Sequence, residues 1–125
     1  MAKHESISAE EFAKLVQQAI ADLPPPYAKL MDSIAVIVEQ EPSQEVLADL
    51  ELDSEDDLLG LYQGQSLAAD SFFRSGGETP PQIFIYRGPI LRLCESPEEV
   101  IQEVYDTVVH ELGHHVGLDD DDMPY

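Results

Sequence analysis

Apolar residues recur at helical spacing in two segments, one near each end of the chain. The first follows Ser8-Ala9-Glu10-Glu11, in which Ser8 and Glu11 have the spacing of a helix capping box. The pattern predicts an amphipathic helix from Ser8 to about Asp22, ended by the prolines at positions 24–26. The residues of its predicted inner face are Phe12, Leu15, Val16, Ala19 and Ile20.

The second helical pattern begins with the same kind of start signal. Ser96 is a natural N-cap, Pro97 suits the first helical position, and Glu99 completes a capping box. The apolar residues that follow recur every three or four positions, which predicts a helix with one core face. The residues of that face are Ile101, Tyr105, Val108, Leu112 and Val116.

Between the two helices, short apolar runs predict strands. Ile34–Val38 is a continuous apolar run of the kind found in buried strands, and Leu58–Tyr62 is a second candidate. Ile83–Tyr86 and Ile90–Leu93 flank Arg87-Gly88-Pro89, a spacing that predicts a hairpin. The acidic segment 41–57 is predicted to be a loop with at most a short helix, and the Ser-, Gly- and Pro-rich segment 66–81 a mobile surface loop.

This order of elements predicts an α+β fold in which helices pack on one face of a small sheet. A length of 125 residues suits one domain, and we expect residues 1–125 to form it. We find no secretory signal and no apolar run of membrane-spanning length. These features predict a cytoplasmic protein that does not contact the membrane.

The chain is strongly acidic, with 6 basic and 26 acidic residues and a formal net charge of −20. Such a charge argues against nucleic acid or an anionic membrane as a partner. It suits either solubility alone or attraction of basic substrates. The single cysteine, Cys94, excludes an intramolecular disulfide, and we interpret it as a small core residue, with a thiolate ligand or a redox switch as the alternatives.

The chemistry of the chain is concentrated in His110-Glu111-Leu112-Gly113-His114. On a helix, His110 and His114 lie about 40° apart and one turn from each other, so both imidazoles can bind one metal ion. Glu111 is rotated by about 100° and flanks the ion, where it can take a proton from a metal-bound water. Without a metal, the same residues would form a polar pair beside a surface carboxylate.

A third ligand is expected shortly after this motif. Gly117 allows the helix to end, and three further residues span at most about 10 Å, which is enough to return Asp120 to the metal. Asp120 is chosen on template spacing, and the neighbouring acids could serve instead or form a solvated tail. These neighbours are Asp119, Asp121 and Asp122. His115 lies about 100° from His114 and is expected to pack or to form a hydrogen bond.

With these motifs, the chain resembles the small zincin-like metallopeptidase family of bacteria, whose signature is His-Glu-x-x-His-x-x-Gly-x-x-Asp. Segments 58–64, 83–86 and 87–94 also resemble strand segments of that family. The resemblance implies a zincin-like fold with His110, His114 and Asp120 as ligands of one Zn²⁺ ion. It implies Glu111 as the catalytic carboxylate. A carboxylate oxygen is a harder ligand than an imidazole nitrogen, so this ligand set could also bind a divalent metal other than Zn²⁺.

The leading hypothesis is therefore zinc-dependent hydrolysis of a peptide or protein substrate, with water activated by Glu111. The alternative is a non-catalytic metal-binding or protein-interaction module on the same fold.

We expect the substrate to add to a free sheet edge offered by either strand of the predicted hairpin. Asp106 is a candidate hydrogen-bond partner for the His110 ring. Five residues are candidate oxyanion stabilisers, and their spacing in the sequence does not favour any one of them. They are Tyr62, Tyr86, Arg92, Tyr105 and Tyr125.

Overall fold

The computed structural model describes residues 7–64 and 81–115, with only the backbone of His115. These residues contain a mixed sheet of three strands, β1 (Ala35–Glu39), β2 (Gly60–Gln63) and β3 (Gln82–Tyr86). The strand order is β1-β3-β2, with β1 parallel and β2 antiparallel to β3. The predicted α+β fold with a small mixed sheet is confirmed, and β3 is its central strand.

Five α-helices accompany these strands in the described part of the chain. They are α1 (Ala9–Ala21), α2 (Pro25–Met31), α3 (Gln44–Asp49), α4 (Arg87–Leu93) and α5 (Pro97–His115), with a 3₁₀ turn at Glu55–Asp57. The helices predicted near the two ends are confirmed, and α3 is the short helix allowed in the acidic segment. The proline segment does end α1, but Pro25 and Pro26 also form the first turn of α2, where a missing N–H is tolerated.

Serine side chains cap both long helices as predicted. The backbone N–H of Glu11 donates to Ser8 Oγ at 3.0 Å, and that of Glu99 donates to Ser96 Oγ at 3.1 Å. At α5, however, Glu99 Oε1 accepts from the backbone N–H of Glu95 at 2.7 Å, one residue before the donor that a capping box uses. The cap therefore fixes the start of α5 and also holds the chain that enters it.

The hydrophobic core lies between the sheet and the two long helices. The side chains at its centre include Phe12, Val16 and Ala19 of α1, Ile83 and Ile85 of β3, and Val100, Val104, Val108 and Leu112 of α5. The buried stripe of α5 thus begins one position before the predicted one, and Ile101 and Tyr105 flank it half-buried. Helix α5 is held between α1 and the sheet.

The hairpin predicted at 83–93 is wrong, because Ile90–Leu93 belongs to α4. Four consecutive residues, Gly88 to Leu91, are buried, whereas a half-buried strand would alternate. Pro89 lies in the first turn of α4, where a helix accepts it. The backbone N–H of Gly88 donates to the carbonyl oxygen of Gln40 at 2.8 Å, which holds this first turn against the chain that leaves β1.

Arg92 on α4 connects this helix to two other segments. Its Nη1 and Nη2 donate to the Glu41 carboxylate at 2.9 and 2.8 Å, and its Nε donates to Asp56 Oδ1 at 2.5 Å. These hydrogen bonds from Arg92 lower the pKa of Glu41. Arg92 therefore ties α4 both to the chain after β1 and to the 3₁₀ turn before β2.

Several predictions concern positions at or beyond the limits of the described residues. The second strand was expected at Leu58–Tyr62 and begins two residues later, at Gly60. The loop expected at 66–81 lies outside the described residues except for Pro81. None of the described helices combines the length and apolar composition needed to cross a membrane.

Cys94 is a core residue, as predicted, with 5% of its surface exposed. Burial raises the pKa of its thiol to about 11. At pH 8 about one molecule in a thousand then carries the reactive thiolate. We expect alkylation by iodoacetamide, followed by mass spectrometry, to be far slower in the native protein than in urea. Equal rates in the two states would contradict this burial.

Candidate metal centre and adjoining cleft

Helix α5 brings His110, Glu111 and His114 together. One potential ligand atom from each side chain lies within 4.8 Å of the others. The two imidazole rings meet edge to face, with centroids 4.9 Å apart and an interplanar angle of 72°. Their Nε2 atoms are 3.2 Å apart. The spacing of four residues therefore produces the convergence of the two rings that the sequence predicts.

The distance between the two Nε2 atoms can be compared with the geometry of a metal site. A tetrahedral zinc ion with Zn–N bonds of 2.0–2.1 Å separates two ligand nitrogens by about 3.3 Å. The observed 3.2 Å fits this value, and it also fits a hydrogen bond between suitable tautomers of the two rings. Two imidazoles and a carboxylate are a donor set that suits a divalent transition metal. The residues present therefore fit one ion.

Glu111 differs from the two histidines in its burial. Its residue is 7% exposed, whereas both histidines are half-buried. Its side chain lies against β2, because a Cβ atom added to Gly60 would be 3.9 Å from Glu111 Cγ. A carboxylate is costly to remove from water, so its burial beside two imidazoles is unusual for a residue with a purely structural role.

Glu111 and His110 lie at one end of a cleft of about 360 Å³ between β2 and α5. One wall is formed by residues 57–60, which join the 3₁₀ turn to β2, and the other wall is formed by α5. The α5 residues that line it are Glu103, Asp106, Thr107, His110 and Glu111. The described lining contains four carboxylates, those of Asp57, Glu103, Asp106 and Glu111, and no lysine or arginine. The cleft is thus an acidic surface that leads to the histidine pair.

Two acids of this cleft, Glu103 and Asp106, interact with neighbouring groups. Burial and the nearby carboxylate of Asp106 raise the pKa of Glu103. Asp106 Oδ1 accepts a hydrogen bond from Gln102 Nε2 at 3.0 Å, and its pairing with the His110 ring stays a prediction. Burial is the larger cause of this shift, and repulsion between the carboxylates of Glu103 and Asp106 adds to it.

The strand next to the cleft is β2, whereas the predicted substrate-binding strands were those of the hairpin at 83–93. β3 has a strand on each side, and Ile90–Leu93 is helical, so neither element of the predicted hairpin offers a free edge. β2 lies beside α5 instead, and its first residue, Gly60, lines the cleft. Of the three described strands, only β3 pairs with β2. The candidate edge for a substrate is therefore β2.

Comparison with known protein families now adds to this geometry. A family model described as zincin-like metallopeptidase matches residues 31–125. The chain belongs to this family. The matched region contains the whole sheet, α4, α5 and the histidine pair, and α1 precedes it. No curated protein matches the chain. Membership of this family and the convergent His110, Glu111 and His114 together support a metal-dependent peptidase at family level.

The third metal ligand stays a prediction. Asp120 and its alternatives, Asp119, Asp121 and Asp122, lie outside the described residues, as does Gly117. The structure brings together only the part of the predicted site that α5 carries.

The candidate oxyanion stabilisers differ in their surroundings. All three guanidinium nitrogens of Arg92 bind Glu41 or Asp56, which argues against this role for Arg92. Tyr86 is buried, and burial together with Glu39 and Glu111 raises the pKa of its phenol. Tyr62 and Tyr105 pack half-buried against the core, and Tyr125 lies outside the described residues.

The cleft itself is not predicted by the sequence pattern. Glu103 precedes His110 by seven residues, or two helical turns, so helical spacing alone places both on one side of α5. The opposite wall had no such signal. Residues 57–60 reach α5 because β3 lies between β1 and β2, which leaves β2 at the edge of the sheet beside α5.

Removal of either imidazole should disrupt metal binding. We expect His110→Ala and His114→Ala each to weaken zinc binding by about 100-fold or more, since loss of even a supporting residue costs about 10–100-fold. His115→Ala is the matched control, the same change at the next position of the same helix. The measurement is isothermal titration calorimetry with Zn²⁺. Unchanged zinc affinity in the double variant of His110 and His114 would contradict the site.

Proposed function

We propose that this protein is a zinc-dependent peptidase whose metal is held by His110, His114 and Asp120 and whose catalytic base is Glu111. The observation that carries this proposal is the pair of Nε2 atoms 3.2 Å apart beside a buried glutamate, at one end of a cleft. Two of these ligands, His110 and His114, and the base come from one helix, so these three residues keep their relative positions. The identity of the metal and of its third ligand are parts of the proposal.

Zinc, when bound, supplies a Lewis acid that polarises the scissile carbonyl and lowers the pKa of a water molecule. The chain supplies proton transfer. Glu111 accepts the proton of the attacking water and delivers it to the amine that leaves. The burial of Glu111 excludes bulk water from one side of its carboxylate, and its contact with β2 limits the directions in which the carboxylate can point.

An extended peptide is the substrate that best suits this cleft. A strand added to β2 would form main-chain hydrogen bonds and would run beside α5 towards Glu111. The acids of α5 and Asp57 would then face the substrate side chains near the scissile bond. Main-chain contacts give affinity without sequence preference, whereas the acidic walls give a preference for positive charge.

The decisive variant is Glu111→Gln, which keeps the shape of the side chain and removes the base. We expect kcat on a peptide library to fall by about 10²–10⁴-fold, the usual contribution of general acid–base catalysis. Zinc stoichiometry, measured by metal analysis, should stay at one ion. Glu98→Gln is the matched control, the same change at an exposed position of α5 that does not line the cleft.

Two results would overturn the proposal in different ways. Cleavage by Glu111→Gln at the rate of the wild type would exclude Glu111 as the base. Stoichiometric zinc without cleavage of any peptide by the wild type would identify the chain as a metal-binding module on a peptidase fold. A metal other than zinc in the purified protein would correct the identity of the ion alone.

The acidic cleft predicts a preference for cationic substrates. Otherwise identical peptides with Lys or Glu next to the scissile bond should differ in kcat/KM by about fivefold, because a charge pair near a surface contributes about 1 kcal/mol. The difference should shrink as NaCl is raised from 20 to 500 mM. Fluorogenic peptides measure both effects.

The net charge of the whole chain also attracts cations, so the cleft needs its own control. The triple variant Asp57→Asn, Glu103→Gln and Asp106→Asn neutralises the walls and leaves the chain strongly acidic. We expect it to lose most of the discrimination between the two peptides. Retention of the full preference would assign it to the overall charge instead.

A further inference from the structure

We propose that Gly60, packed against Thr107, sets the separation between β2 and α5 that substrate binding and cleavage require. Gly60 is then a positioning residue that acts through the strand and does not touch the reacting atoms. This inference rests on the proposed peptidase function, because it concerns where a peptide on β2 lies relative to Glu111.

The two elements approach so closely at Gly60 that no side chain fits between them. A Cβ atom added there would overlap Thr107 Cγ2 and would lie 2.9 Å from the carbonyl oxygen of Phe84. Ordinary contacts between carbon atoms are about 3.5–4.0 Å. Phe84 belongs to β3, and its oxygen is part of the backbone, so it cannot rotate away. A side chain at position 60 would therefore push β2 away from its neighbours.

The point of closest approach adjoins the candidate catalytic residue. Thr107 precedes Glu111 by one helical turn, and the added Cβ at Gly60 would lie 3.9 Å from Glu111 Cγ. Thr107 is itself buried and lines the cleft together with Gly60 and Glu111. Any widening here changes the distance between the strand that would hold a peptide and the carboxylate that would activate water.

A small displacement at this point should have a large effect on turnover. Misplacement of a substrate by 1 Å can cost about 100-fold in rate. The histidines, in contrast, are held together by their spacing on α5 and not by β2. The position of β2 should therefore affect peptide binding and cleavage and should leave metal binding intact.

The test is Gly60→Ala, with kcat/KM, zinc affinity and thermal unfolding measured on the same preparation. We expect kcat/KM to fall by about 100-fold while zinc affinity stays within about twofold of the wild type. Peptide affinity is measured separately by calorimetry, with Gly60→Ala combined with Glu111→Gln so that the peptide survives. We expect its Kd to rise relative to Glu111→Gln alone.

Gly88→Ala is the matched control for general destabilisation. A Cβ atom added to Gly88 would overlap the Glu41 carboxylate and would lie 2.9 Å from the Gln40 carbonyl oxygen, away from the residues that line the cleft. Gly88→Ala should lower the melting temperature as Gly60→Ala does. The kcat/KM of the folded Gly88→Ala enzyme should stay within about twofold of the wild type.

A second-site change tests the contact itself. Thr107→Ser removes the Cγ2 methyl and should restore part of the kcat/KM lost by Gly60→Ala, whereas Thr107→Val keeps the crowding and should not. If Gly60→Ala does not fold, Thr107→Ile replaces it, because Ile keeps the Cγ2 methyl and enlarges the other branch of a side chain that is buried between α5 and β2.

Four results separate the possible outcomes. Equal loss of kcat/KM in Gly60→Ala and Gly88→Ala would overturn the positioning role, as would equal recovery with Ser and Val at position 107. Absence of cleavage by the wild type would overturn the proposed peptidase function. In that case, an unchanged peptide Kd in the Gly60→Ala and Glu111→Gln double variant would also exclude β2 as the binding edge.

Discussion

The position of α5 is the constraint on which the rest of the structure depends. One stripe of this helix, which includes Val104, Val108 and Leu112, is fully buried against α1 and the sheet. Each such side chain contributes roughly 1.5–3 kcal/mol when buried, so this stripe fixes the rotation of the helix about its own axis. That rotation decides which residues face β2. Thr107 and Glu111 do so because they neighbour the apolar stripe on the side where the strand lies.

The same arrangement separates the chemistry of the site into two environments. Glu111 lies in the narrow contact between helix and strand, whereas His110 and His114 are half-buried. A carboxylate held in a partly dry contact has few orientations, and imidazoles at its margin remain open to an incoming ion. Both the buried environment of Glu111 and the half-buried environment of the histidines adjoin one helix, so no additional layer of structure is needed to produce them.

Much of the fold and half of the site could be predicted from the sequence. The long helices carry caps and a 3.6-residue period, which are local signals, and His110 and His114 share their helix. The wrong hairpin prediction involves Gly88 and Pro89, which are typical of a turn but here lie in the first turn of α4. The apolar run that follows them does not correct this prediction, because a short apolar run fits a strand or a helix equally. The cleft was not predictable because Asp57 reaches α5 only through the strand order β1-β3-β2, a tertiary property.

The ion pairs of Arg92 have a consequence for the distribution of charge. Asp56 and Asp57 are adjacent in the chain, yet Arg92 binds Asp56, whereas Asp57 faces the cleft. The sequence has only six basic residues, and this one offsets two acids, Glu41 and Asp56, away from the residues that line the cleft. Arg92 therefore makes these hydrogen bonds to acids outside the lining, and the described lining contains no basic side chain that would pair with its carboxylates. The cleft thus keeps its acidic character although one of the few cations of the chain bonds to the residue next to Asp57.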